Sequence, residues 1–158
     1  MDAFRRIVQA LRLGGQSSQR RFGLSAAQMF VLQQLSHGRA TSLNELAART
    51  FTHQSSVSVV VHRLVDLGLI ARNTAKNDAR RLVLSLTPSG RKLVRSAPQA
   101  TQEKLIDALH RLPASQRSQL AQLLRHVADD AAGETARPAL FFEEGSQHPK
   151  RRKHGSRR

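Results

Sequence analysis

Apolar residues open the chain at helical spacing. Phe4, Ile7, Val8 and Leu11 stand at i, i+3, i+4 and i+7, one face of an amphipathic helix predicted over 2–13, with Arg5, Arg6 and Arg12 elsewhere on it. Gly14-Gly15 is expected to weaken or end it. Ser25 with Gln28 is a capping-box pair that opens a second helix over 25–37. Its apolar face runs through Met29, Leu32 and Leu35, with Phe30 and Val31 beside it, and Gly38 stops it. Ser42 with Glu45 repeats the signature before a short helix over 43–50 that is expected to bury Leu43, Leu46 and Ala47. After the turn Phe51-Thr52-His53, a fourth helix is predicted from about Gln54 to Leu67, and Gly68 ends it.

Beyond Gly68 the period changes. Leu69 to Arg72 reads as a short strand, and Leu82 to Leu86 as a second one of period two. The polar stretch between them, Asn73 to Arg81, predicts a hairpin with a long basic loop. Thr87-Pro88 reads as an N-cap with proline at the first helical position, starting a helix from 88 to about 110 that Pro98 should break or kink. Pro113 marks a turn. The last helix, about 115–131, aligns Leu120, Leu123, Leu124, Val127 and Ala131. The fold class is therefore mainly α with a small β-hairpin, and no internal repeat is present.

The fourth helix has two unlike faces. At 100° per residue, Val57, Val60, Val61 and Leu64 form a core-facing stripe. The other side collects Ser55, Ser58, Val59, His62, Arg63 and Asp66, after a first turn of Gln54, Ser55 and Ser56. The plain reading is a solvated face, but such faces carry Glu and Lys, whereas this one is short-chained and mostly uncharged. Ser, Gln and His donate to and accept from base edges, and Val59 can touch a thymine methyl. Ser55 and Ser56, near the helix start, suit phosphate oxygens.

Charge strengthens this reading. The 158 residues carry 26 Lys and Arg against 11 Asp and Glu, a net charge of +15, which points to a polyanionic partner. The excess is shared between the body of the chain and a basic tail after Arg137, which ends Pro149-Lys-Arg-Arg-Lys-His-Gly-Ser-Arg-Arg158. The tail reads as disordered, either as a solubilising segment or as a weak non-specific phosphate binder. Short helix, turn, helix and basic hairpin, in that order, make a winged helix-turn-helix. Its wing offers Arg72, Lys76, Arg80 and Arg81 to a narrow minor groove, while Asp78 is read as structuring the wing tip by pairing with an arginine.

At these residues the sequence resembles the multiple-antibiotic-resistance regulator (MarR) family of winged-helix transcription factors, over roughly residues 4–131. The resemblance rests on Leu43-Asn-Glu-Leu-Ala47, on Val57 to Leu64 ahead of Gly68-Leu-Ile70, and on Asp78-Ala-Arg80 leading into Leu82-Val-Leu-Ser-Leu-Thr87-Pro-Ser-Gly90. It implies a homodimer in which each winged helix reads half of a pseudo-palindromic operator on double-stranded DNA. It also implies a repressor released by a small effector, often phenolic or anionic, held between the dimerisation and DNA-binding lobes. Arg and Asp are frequent in the family where Val59 and His62 stand, which bears on the operator sequence. Pro98 interrupts a helix that is usually long, and the basic tail is an addition.

Dimerisation also follows from the pattern itself. Phe4, Ile7, Val8 and Leu11 in the first helix and Leu120, Leu123, Leu124 and Val127 in the last form apolar stripes with little else in so small a chain to cover them. The organisation read from sequence is an N-terminal dimerisation helix (1–20), a winged helix-turn-helix (21–90), C-terminal dimerisation helices (91–132) and a basic tail (133–158). A crevice between the lobes could use Phe22, Phe30, Arg12 or His37, though each serves equally well as a core or surface residue. The effector's identity is not readable.

Other chemistry is thin. The chain has no cysteine, which excludes disulfides, thiolate metal sites and thiol sensing. The histidines lack metal-ligand spacing, so no metal is expected, and His126 with Asp129 or Asp130 reads as a surface pair. No nucleophile elbow, phosphate loop, dinucleotide fingerprint or zinc-protease motif occurs, and no enzyme is expected. No apolar run approaches the ~18 residues of a membrane span, nor is there a secretory signal. The expectation is a cytoplasmic, nucleoid-associated protein with no membrane partner. An architectural, non-sensing DNA binder relying on charge is the alternative.

Overall fold

The computed structural model describes residues 1–38, 41–75 and 78–132, with the backbone alone at 75, 78–81 and 132. Its elements in order are α1 (Asp2–Phe22), α2 (Ala26–Ser36), α3 (Leu43–Arg49), α4 (Gln54–Asp66), β1 (Ile70–Ala75), β2 (Asp78–Leu86), α5 (Pro88–Ser96), α6 (Thr101–His110) and α7 (Ala114–Ala132). Both capping boxes form. Ser25 Oγ accepts from the Gln28 amide at 3.2 Å while Gln28 Oε1 accepts from the Ser25 amide at 2.8 Å. Ser42 and Glu45 exchange the same pair of bonds at 3.3 and 3.0 Å.

The core lies where α2, α3, α4 and the hairpin meet. Met29, Leu32 and Leu35 from α2, Leu46 from α3, the whole Val57, Val60, Val61 and Leu64 stripe of α4, and Ile70, Leu84 and Leu86 of the hairpin are buried together. Each such side chain stabilises the fold by roughly 1.5–3 kcal/mol through burial. Leu43 is only partly buried against this cluster. The hairpin is antiparallel, pairing Ile70 with Leu86, Ala71 with Ser85 and Arg72 with Leu84. Thr41 adds one rung on the far side of β2, with reciprocal bonds to Leu84 of 3.1 and 2.7 Å.

Two sequence expectations are corrected and a third is met. First, α1 does not stop at Gly14-Gly15 but runs to Phe22, and Gly23 closes it in the left-handed conformation at φ 67°. The glycines serve packing instead: Gly15 is buried, and a Cβ at Gly14 would collide with the Thr101 hydroxyl where α6 crosses α1. The tertiary contact outweighs the helix penalty of about 1 kcal/mol per glycine. Second, the wing has no long loop. The ladder runs to Thr74–Leu82, the register then shifts, and Ala75 pairs with Asp78, so Arg80 and Arg81 fall within β2, at this irregularity, rather than in a long loop. Third, the break expected at Pro98 is found, and the segment from Pro88 to His110 is two helices. Ala97 is extended, Pro98 follows, and α6 restarts after Ala100.

The Leu-Thr-Pro-Ser-Gly segment joins wing to α5 by a tight contact. Thr87 Oγ1 caps α5 by accepting from the Gly90 amide at 3.1 Å, and it donates to Gly68 O at 2.7 Å. This draws α5 so close to Leu69 that a Cβ at Gly90 would run into the Leu69 carbonyl oxygen. Gly90→Ala is therefore expected to cost about 1–3 kcal/mol by overpacking. Thermal unfolding followed by circular dichroism checks this, and an unchanged melting temperature would refute the tight junction.

Candidate nucleic-acid interface

The reading helix is positioned by the turn before it. Thr50, 1% exposed, sends its hydroxyl back to Leu46 O at 2.9 Å and Ala47 O at 3.2 Å, and the Thr52 amide donates to Ala47 O at 3.1 Å. Phe51 between them takes a left-handed φ of 53° and is 68% exposed. Its ring meets His110 edge-on at 6.4 Å. An aromatic residue in this conformation is strained, and nothing in the sequence flags it. At its far end α4 closes with a Schellman pair: Leu69 N donates to Leu64 O and Gly68 N to Val65 O, both at 2.9 Å, with Gly68 at φ 68°.

With the valine stripe buried, the remaining face of α4 is open. Gln54, Ser55, Val59, His62 and Arg63 are exposed, and Ser56 and Ser58 are half-exposed. Val59 is 55% exposed, so its methyl groups are free to meet a partner on this face. His53 is the N-cap residue and its side chain makes no capping bond to the first-turn amides of α4. Amides at a helix start beside serine hydroxyls suit a phosphate. The structure thus brings every residue named for the reading helix onto one surface.

Wing residues are placed less completely. Arg72 is exposed on β1, across from Leu84. Alternation puts it on the same face as buried Ile70, two residues farther out along the ribbon. Arg80 and Arg81 follow Asp78 at the start of β2, and the pairing proposed for Asp78 concerns a side chain outside the described residues. Lys76 and the basic tail also lie outside them.

The stripes named for dimerisation face water in the single chain. Phe4, Ile7 and Val8 on α1 and Leu123, Leu124 and Val127 on α7 are exposed, while Leu11 and Leu120 are half-buried. Between α1, α2 and the α5–α6 corner lies a cavity of about 200 Å³, lined among others by Ser18, Phe22, Met29, Pro98, Gln102 and Lys104. Ser18 Oγ is buried there with no hydrogen-bond partner among the described residues. Of the crevice residues read from sequence, Phe22 lines this cavity. Phe30 is fully buried in the core, Arg12 lies along an outer groove of α1, and His37 pairs with Glu103. Ser18 and Lys104 carried no readable signal, because a lone Ser or Lys on a helix is ordinary.

A family model described as the MarR family matches residues 22–81. An uncharacterised HTH-type transcriptional regulator of Mycobacterium bovis is 32% identical over 127 residues, spanning 80% of this chain and 83% of its own length. This chain belongs to the MarR family. An HTH-type transcriptional repressor of Mycobacterium tuberculosis is 28% identical over 108 residues, 68% of this chain and 78% of that protein. Among solved structures, Bordetella bronchiseptica BpsR superposes with a TM-score of 0.55 at 29% identity, covering 81% of this chain and 91% of BpsR; its structure concerns regulation of DNA binding by 6-hydroxynicotinic acid. The MarR assignment makes the protein a winged-helix transcriptional regulator and agrees with the hairpin and helices described above. Among the described residues no helix is long and apolar enough to cross a membrane.

Proposed function

We propose that this MarR-family regulator acts as a homodimer that reads a pseudo-palindromic operator and represses transcription until a small effector releases it. The carrying observation is the open face of α4, polar and short-chained, fixed above a fully buried valine stripe. Gln54, Ser55, Ser56, Ser58, Val59, His62 and Arg63 enter the major groove, and the wing, with Arg72, Lys76, Arg80 and Arg81, lies along the minor groove. Pairing through α1 and α7 sets two copies of α4 about one DNA turn apart, ~34 Å. The protein works by binding rather than catalysis, on DNA in the cytoplasm.

The cavity beside Ser18 is the effector site in this reading. Its volume suits a single aromatic ring, Phe22 and Met29 supply apolar walls, Ser18 Oγ offers an unpaired hydroxyl, and exposed Lys104 at the rim suits an anionic group. The BpsR likeness supports an aromatic acid as the class.

Selection of bound duplexes from a random library tests the proposal. A two-fold symmetric motif bound ~10³-fold or more over random duplex is expected. Uniform recovery of all sequences with steep salt dependence would instead favour an architectural binder using its net charge of +15.

A further inference from the structure

The corner between α5 and α6 is held by α2 and borders a cavity. Gln33, on α2 and 4% exposed, spans the break with one amide group. Its Nε2 donates to Pro98 O at 2.8 Å and its Oε1 accepts from the Ala100 amide at 2.7 Å. These two backbone groups are freed by the break itself, since Ala97 and Ala100 have left helical geometry. One turn into α6, Glu103 is buried and meets α2 again: His37 Nε2 lies 2.6 Å from its Oε1, and Gln34 Nε2 donates to it at 3.3 Å. Four residues of the same corner, Pro98, Gln99, Ala100 and Thr101, line the cavity that holds unpartnered Ser18.

We infer that Gln33 and Glu103 are positioning residues forming a clamp that fixes the C-terminal arm against the reading head, and that occupancy of the Ser18 cavity acts by loosening it. The transmission step rests on the effector reading above; the clamp itself does not. A continuous helix would hold the arm by its own hydrogen bonds, whereas a helix cut at Pro98 must be held from outside. α2 is suited to this role because it packs on α4 and on β2, and its Leu32 and Leu35 belong to the shared core. A shift of the corner relative to α2 therefore alters the angle between the arm and α4. In a dimer joined through the terminal helices, that angle sets the separation of the two reading helices. A ring entering a cavity of about 200 Å³ presses on the corner residues, of which Pro98 and Ala100 are bonded through their backbone to Gln33.

The absence of cysteine makes the test direct, because spin labels can be placed at introduced sites alone. Exposed Asp66, at the end of α4, and exposed Arg111, at the end of α6, are changed to Cys in the full chain. The labelled protein is diluted into unlabelled protein, so that double electron–electron resonance reads the distance within one chain. The parent should give one narrow distance. Gln33→Met, which keeps the length and deletes both bonds, should broaden or shift it by several ångströms. Gln33→Glu, which keeps the acceptor for Ala100, should fall between the two. Should Gln33→Met fail to fold, Glu103→Gln takes its place and must broaden the distribution. Overlapping distributions in the parent and the folded variant overturn the clamp. Benzoate, as probe, should move the parent toward the Gln33→Met distribution. Benzoate that binds at the cavity without moving the distance overturns transmission. Failure of benzoate to bind counts against the effector reading, and the clamp is still judged by the Gln33→Met distance.

Discussion

Leu124→Glu is expected to split the protein into single chains and to carry operator binding away with it. Leu124 is exposed beside Leu123 and Val127 on α7, and Phe4, Ile7 and Val8 are exposed on α1. Six large apolar residues on two helices exceed the scattered exposure normal for a soluble surface, and in the proposed homodimer mutual burial between two copies removes them from water. A buried glutamate in such an interface loses its hydration without a partner, so the dimer is disfavoured by several kcal/mol. The single chain bears no such cost because its α7 stripe already faces water. Sedimentation velocity should therefore show half the parent mass with helical content retained. A monomer keeps one half-site and forgoes the effective concentration that links the second, so operator affinity should fall by about 10²–10⁴-fold. A Leu124→Glu protein that still sediments as a dimer would move the interface off α7.

Much of this architecture is visible in the chain because its local signals and its packing agree. Ser25 with Gln28, Ser42 with Glu45, and Thr87 before Pro88 place helix starts that the structure shows with their hydrogen bonds. The α4 stripe is legible for the same reason: each of its four apolar positions is buried. Readings failed where a distant partner decides the outcome. Gly14 looks like a helix end until Thr101, far along the chain, demands its missing side chain. Asn73 and Thr74 look like turn residues, yet they pair with Val83 and Leu82 because backbone bonds continue past the edge of the core. Period-two patterning needs one buried face, and the outer wing has little: Leu82 itself is exposed. The break at Pro98 was readable, but its holder was not. Gln33 sits 65 residues away among apolar neighbours, where its sequence context suggests only a helix former.

Loss of base preference from α4 and loss of attraction from the wing should be separable in one set of variants. His62 is exposed and Ser58 half-exposed on the open face of α4, where a side chain in a groove meets base edges. Each good base contact is worth about 1–3 kcal/mol of discrimination. Ser58→Ala and His62→Ala should therefore flatten the preference at one position per half-site, by about tenfold or more, while binding to random duplex stays near the parent value. Arg80, at the start of β2, carries charge beside the minor groove in the proposed complex. Arg80→Ala should weaken operator and random duplex alike and reduce the slope of log affinity against log salt by roughly one per chain. The two signatures differ because a base contact is lost only where the right base stood, whereas a phosphate contact is lost everywhere. An Arg80→Ala protein with unchanged affinity and slope would remove the wing from the mechanism. A selection profile untouched by both α4 substitutions would assign the reading to another surface, even with the MarR fold intact.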